Sequence, residues 1–298
     1  MKDIFDLYTH CTLCPRACGV DRAKGETGVC RSPGMPLVAH TMLHMWEEPC
    51  ISGKNGSGTV FFSGCPLGCI YCQNERISRG GVGKSYSDKE LASLYLSLEE
   101  KGAENINLVT ASHYLPHVVS SVRLAREKGL KIPVVYNTSG YETVDALSLL
   151  SGVVDVYLSD LRYVRAETAR RFSYAADYPT VAHFALKEMV RQCPSPIFNE
   201  EGILVKGVIV RLLLLPGHLI EAKMALREVY TRYGDAVYIS LMSQYTPTHS
   251  TKYEELNRRV SEAEYASFLD YARSLGIKNA FVQELSAASE QYIPHFDA

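Results

Sequence analysis

The chain has 298 residues, 46% apolar and 21% charged, with a net charge of -2. This is the balance of a soluble globular protein, and it excludes a disordered chain or a strongly basic nucleic-acid binder. The longest apolar run, GVIVRLLLLPG, is too short to cross a bilayer and contains Arg211.

The opening MKDIFDLYTH lacks an apolar stretch of signal-peptide length, so a cytoplasmic protein with no membrane partner is expected. Residues 1–55 are rich in Cys, Gly, Pro and His and show no clear periodicity. They read as a small metal-stapled extension. Eight of the nine cysteines lie before residue 73, and such clustering in a reducing compartment points to metal binding. Cys11, Cys14, Cys18 and Cys30 are spaced C-x2-C-x3-C-x11-C. Four thiolates close a coordination shell, so this set predicts a structural or electron-relaying site, with zinc and an iron–sulfur cluster both open. Cys50 and Cys193 read as small buried thiols. In HTMLHMWEEP, His40 and His44 would face together only on a helix, which the Gly/Pro-rich setting disfavours. They are expected at the surface.

From Thr59 onward, short apolar strand-like runs alternate with helical patterns. The first strand, TVFFS (59–63), leads into GCPLGCIYCQN, where Cys65, Cys69 and Cys72 are spaced C-x3-C-x2-C. A cubane cluster takes one ligand per iron, so three thiolates leave one iron open. An open metal position is where chemistry occurs. A partial zinc site is disfavoured, because zinc loops usually supply paired C-x2-4-C halves. The following SRGGVGKS resembles a phosphate loop, but it has Ser at position 78 and no strand directly before it.

Ser87 and Glu90 form a capping box, Leu91, Leu94, Tyr95 and Leu98 follow at helical spacing, and Gly102 supplies a stop. Further strands are expected at 105–111, 132–138, 153–159, 207–216, 236–242 and 278–284. Helices are expected after Ser112, Gly140, Arg165, Pro179 and Gly217, and again from Ser261 to Gly276. This alternation predicts parallel strands with helical crossovers, with chemistry at the carboxyl ends of the strands.

The cysteine triplet after the first strand, with Tyr71 before its last member, resembles the signature of the radical S-adenosylmethionine (SAM) superfamily. CxLCPRACGV, GCPLGCIYCQN, NLVT, LSDLR, VRLLLLPGH and YISLMSQYTP further resemble the activating-enzyme group related to pyruvate formate-lyase activases. The resemblance implies a partial (β/α)6-type barrel over residues 56–298, following the cysteine-rich extension at 1–55. It also implies a [4Fe–4S] cluster on Cys65, Cys69 and Cys72, with SAM as the second cofactor.

Residue roles follow from the same resemblance. Tyr71 and Asn74 are expected beside the adenine. Where the family carries Gly-Gly-Glu, this chain has VTASHY, so Thr110 and Ser112 stand in the place that receives the methionyl amine. Asn137 and Ser139 fall where ribose contacts are expected. Asp160 and Arg162 resemble the Asp-x-Lys of the activases, with a planar fork replacing a compact ammonium. Gln244 and Tyr245 end the sixth strand. Asp160 and Arg211 are the catalytic candidates, and Arg211 stands out independently, since a charge inside VIVRLLLLP must be paired or belong to a site. Asn137 also fits a cap, Asp160 a helix N-cap, and His218 a surface position in a first helical turn.

The leading functional expectation is an oxidoreductase that abstracts hydrogen from a glycine of a partner glycyl-radical enzyme. Its electron donor would be of flavodoxin or ferredoxin type, and no nucleic-acid partner is expected. A radical SAM enzyme acting on a small molecule or peptide is the alternative. A non-catalytic electron carrier is disfavoured, because carriers close their clusters with four ligands.

Overall fold

The computed structural model describes residues 3–284 and residue 288. Its strands are β1 (Leu37–His44), β2 (Ser57–Phe62), β3 (Lys84–Ser85), β4 (Ile106–Val109), β5 (Val134–Thr138), β6 (Val156–Asp160), β7 (Ile197–Phe198), β8 (Leu204–Leu213), β9 (Tyr238–Met242) and β10 (Ala280–Val282). The main sheet runs in the order β10-β9-β8-β6-β5-β4-β2-β1-β3, with β7 paired to β8 outside that path. From β2 to β10 along this order every pairing is parallel. β1 is antiparallel to β2 and to β3. This is a mixed α/β fold with a mostly parallel sheet, consistent with a partial radical SAM barrel.

The central strands form because both of their faces are covered. All six residues of β2 and all five of β5 are buried. Their Val, Ile, Leu, Phe and Tyr side chains suit a pleat with no wet face.

The helices are α1 (Pro49–Ser52), α2 (Glu75–Ser78), α3 (Asp88–Glu100), α4 (Leu115–Glu127), α5 (Val144–Ser148), α6 (Ala166–Ser173), α7 (Tyr178–Gln192), α8 (Leu219–Tyr233) and α9 (Glu262–Ser274). Both expected capping boxes are present, at Ser87/Glu90 and Ser261/Glu264. Each satisfies backbone donors that a helix start leaves orphaned. The face of α3 buried on the sheet carries Leu91, Tyr95 and Leu98.

Two apolar layers flank the sheet. The larger lies under the outer helices. The smaller fills one end of the barrel interior, where Cys50 and Ile51 of α1 pack with Val135, Val156, Leu158, Leu204 and Ile209. Helix α1 is thus a plug.

The expectation for residues 1–55 needs correcting at one place. β1 precedes the expected boundary yet pairs with β2 from Val38↔Phe62 to His44↔Ser57. Its residues are mostly half-buried on both faces, so LVAHTMLH offers no clean alternation to read. The extension is also clamped to the barrel. Arg22, 2% exposed, donates to the carbonyls of His113 and Pro33 and lies 4.4 Å over the Tyr8 ring.

Candidate active site

β2 ends at Phe62, and the cysteine loop begins at once. Gly64, at φ +89°, is required here, because a Cβ would lie 2.0 Å from Ser32 Oγ and 2.7 Å from the Cys30 carbonyl. Arg16 clamps the loop from outside. Its guanidinium donates to the carbonyls of Pro66 (2.9 Å), Leu67 (3.3 Å), Ser173 (2.9 Å) and Tyr174 (2.6 Å). Four carbonyls on one planar fork fix the loop against the end of α6. The sequence offered a signal for this in CPRAC, where a lone cation sits among closely spaced cysteines.

Cys65, Cys69 and Cys72 all line one cavity of about 370 Å³, within the range of small-molecule sites. Burial, then the neighbouring Cys69 and Cys72, push the Cys65 thiol up to about 12. Burial and Cys69 likewise raise Cys72, against the pull of Arg162. Thiolates here therefore need positive charge. Cys69 has donors of its own: Ser173 Oγ at 2.9 Å and Arg162 Nη1 at 3.6 Å. Tyr163 joins this group, its hydroxyl 2.7 Å from both the Tyr71 hydroxyl and Ser173 Oγ.

The far end of the cavity is carboxylate-rich. Arg211 Nε donates to Asp160 Oδ1 (2.8 Å), Nη1 to Glu47 Oε2 (3.1 Å) and Nη2 to Asn137 Oδ1 (2.6 Å). Glu47 Oε1 accepts from Asn107 (3.0 Å) and Asn137 (3.1 Å). Asp160 Oδ2 accepts from Arg162 Nη2 at 2.6 Å, which links this end to the thiols. Burial works to raise the Asp160 carboxyl, but Arg211 and Arg162 win and hold it below the usual carboxylate range. Burial raises Glu47 and Glu48 against the opposing pull of Arg211.

Among the expected site residues, Tyr71, Asn74, Thr110, Asn137, Ser139, Asp160, Arg162, Arg211, Gln244 and Tyr245 line this cavity with the three thiols. Asp160 ends β6 and is held by two arginines, as an ion-pair partner rather than a helix cap. The Asn137 amide is held by Arg211 and Glu47, which leaves one N–H and one carbonyl lone pair free at the cavity. Ser112 is not a lining residue. It is buried behind the wall, donating to Glu142 at 2.5 Å. Thr110 reaches the cavity from a left-handed backbone, φ +56°. Gln244 bonds Gln283 at 3.0 Å, and the Tyr245 hydroxyl donates to the Leu256 carbonyl at 2.6 Å.

Three residues escaped the sequence reading: His44, Glu47 and Glu48. On a strand, positions 40 and 44 share a face, and both rings approach Phe61, with centroids 6.5 and 6.4 Å away. His44 is 9% exposed and lines the cavity, contrary to the surface position expected for it.

Among the described residues no three His, Cys, Asp or Glu side chains converge as ligands of a single metal ion. Thiolates on one tetrahedral zinc would lie within about 4 Å of one another, given bonds of about 2.3 Å. A cubane spreads its ligands over separate irons, and Cys65, Cys69 and Cys72 all open into the one cavity, as such a cluster requires. Gly68, at φ +62°, leaves open space where a Cβ would stand. Buried Arg162 Nε and Asn74 Oδ1 have no hydrogen-bond partner among the described residues, and both residues border the cavity. The donor set and these orphaned polar atoms fit a [4Fe–4S] cluster with a polar cofactor beside it.

A model of the radical SAM superfamily matches residues 59–181, from β2 into α7. A domain of this superfamily implies an enzyme that uses a [4Fe–4S] cluster and SAM. Over 282 residues the chain is 29% identical to the uncharacterized protein MJ0674 of Methanocaldococcus jannaschii, a match covering 91% of this chain and 77% of that one. Among the described residues no helix is long and apolar enough to cross a membrane.

Proposed function

We propose that the protein reductively cleaves SAM in this cavity and uses the resulting radical to abstract hydrogen from a glycine of a partner enzyme. The observation that carries the SAM chemistry is the opening of Cys65, Cys69 and Cys72 into one cavity that also holds a chain of buried polar groups. Cys65, Cys69 and Cys72 would hold a [4Fe–4S] cluster, which would supply the single electron for reductive cleavage of SAM. The protein's own work is to hold and orient. Arg162 and Ser173 donate to the Cys69 sulfur, and the Tyr71 ring and Asn74 amide offer a face and an acceptor for an adenine. Thr110 and Ser139 are left for the remaining polar groups of SAM.

The activase reading takes its support from the sequence resemblance and from the cavity lining. Trp46 (60% exposed) and Val282 (57% exposed) line the cavity while remaining largely open to solvent, an apolar surface suited to a docked loop. A flavodoxin- or ferredoxin-type protein would supply the electron. The anaerobically reconstituted protein should form 5′-deoxyadenosine from SAM under dithionite, and a glycyl-radical enzyme added to it should acquire a radical doublet in paramagnetic resonance. Absence of 5′-deoxyadenosine overturns the SAM reading; its formation with no glycyl radical overturns the activase reading alone.

Cys11, Cys14, Cys18 and Cys30 are proposed as a separate, closed metal site of zinc or iron–sulfur type; the zinc form would require these thiols to draw together, since among the described residues no three converge on one ion. Cys11, Cys14 and Cys30 are each 5% exposed, and the Cys14 thiol is pushed up to about 12 by burial, with Cys30 and Cys11 contributing. Replacing all four by Ala should remove about one zinc or about four irons from the purified protein. Unchanged metal content removes this site.

A further inference from the structure

Counted with every carboxyl ionised, the charges between the thiols and the α1 plug do not balance. Arg162 and Arg211 supply two positive charges, and Asp160 and Glu47 supply two negative ones, each engaged in the hydrogen bonds given above. Glu48 is left over. It lines the same cavity, is 7% exposed, and its Oε2 has no partner among the described residues. The Ser240 hydroxyl is its hydrogen-bonding neighbour. His44, on the same cavity, has an unpartnered buried Nδ1. Burial, then Arg211, push the His44 imidazole below its usual range, so it does not supply the missing positive charge.

We propose that Glu48 and His44 form a subsite at the floor of the cavity that binds the ammonium group of the substrate. Both orphaned atoms are acceptors when the imidazole carries its proton on Nε2. An ammonium is donor-only, with three N–H groups, and can serve both. It also supplies the one positive charge the floor lacks, without which a buried carboxylate is costly. Behind them Cys50 and Ile51 of the Pro49–Ser52 plug pack with apolar residues of the strands, and Glu48 and His44 border the cavity itself. On an activase, this ammonium would belong to a lysine side chain of the docked loop. On a small substrate it would be a free amine.

The inference rests on reading this cavity as the place of SAM chemistry, so its test reports SAM binding separately. The cluster-loaded full-length protein is titrated calorimetrically with n-butylammonium, n-butanol and butyrate, with and without SAM. Binding of SAM itself is followed as the change it induces in the paramagnetic resonance of the reduced cluster. Butylammonium should bind about ten times more tightly than butanol. Glu48→Gln should erase that preference while keeping the cluster absorbance and the SAM-induced change. His44→Phe should reduce it. A preference that survives Glu48→Gln, or tighter binding of butyrate, overturns the proposal. Competitive displacement of butylammonium by SAM would assign the cation to SAM itself and overturn a substrate subsite. Loss of the SAM-induced signal in the unmodified protein would instead indict the reading of the cavity.

Discussion

The two ends of the cavity are built in opposite ways. At the thiol end the key atoms come from one loop of eight residues, Cys65 to Cys72, and spare donors converge on a sulfur. At the floor they come from residues far apart in the chain. Glu47 meets Asn107, Asn137 and Arg211 across separations of 60, 90 and 164 positions. One end is a local motif held ready for something to be added. The other is a long-range network whose acids and bases already satisfy each other, save for Glu48. The proposed function puts the chemistry at the first end, and the proposed subsite puts charge selection at the second.

The sharpest way to break this comparison is at the thiols. Replacing Cys65, Cys69 or Cys72 with Ala should lower 5′-deoxyadenosine formation under dithionite by more than about 100-fold, since the iron that cysteine would hold loses its only protein ligand. The variants should unfold near the temperature of the unmodified apoprotein, because no floor contact is touched. A variant that cleaves SAM at the normal rate refutes the assignment.

The floor should show the reverse pattern. Arg211→Met leaves Glu47 and Asp160 without their shared cation in a site where Arg211 is 12% exposed. Removing one partner of such a buried pair should cost about 3–5 kcal/mol in denaturant unfolding. Arg211→Lys should cost less, keeping the charge but losing the fork that reaches three partners. Both variants should reconstitute the cluster absorbance. Its loss from Arg211→Lys would mean that the two ends are not separable.

A third test lies just behind the wall. Glu142 is buried, accepts from Ser112 and Thr138, and is raised from 4.5 to about 7 by burial. In the unfolded chain it ionises near its usual value, so between about pH 4.5 and 7 the unfolded state binds fewer protons than the folded one. Stability from this group is therefore full below pH 4.5 and is lost as pH rises towards 7. Glu142→Gln should flatten that decline by a few kcal/mol. An unchanged slope would show that the carboxyl is already ionised in the folded protein.

The smallest effect is expected from Ser173→Ala, which removes one of the two side-chain donors to Cys69 Sγ. Hydrogen bonds to sulfur favour the more negative, reduced state. The midpoint potential of the cluster should fall by tens of millivolts in a redox titration, and a rise would contradict the role given to Ser173.

The sequence made the three thiols readable because they are close in the chain, whereas the donors to Cys69, Arg162 and Ser173, lie 93 and 104 positions away. The parallel strands were readable for the same reason, as each is a short apolar run between turn signals. Arg211 was found through the cost of a charge in an apolar strand, and the same reasoning applied to Asn107 in INLV would have found a second floor residue. Glu47 and Glu48 were not readable. They follow a strand whose two half-buried faces gave no alternation, and their partners are brought together only by closure of the sheet. Ser112 stands behind the cavity wall for a local reason, since its hydroxyl donates to Glu142.

The plug has a consequence for how such a protein could diversify. Residues 45–52 hang between β1 and β2, outside the parallel strands that carry the thiol loop and the crossover helices. A change of residue type within this short bridge would alter what the floor accepts and leave the radical-generating end as it is. A change in its length would be punished, because the β1–β2 pairing from Val38 to His44 fixes where the bridge starts and Ser57 fixes where it ends. Lineages descended from such a chain would be expected to vary in the letters of this segment and to keep its number of residues, so that new substrates arise by substitution at the bottom of an unchanged reactor.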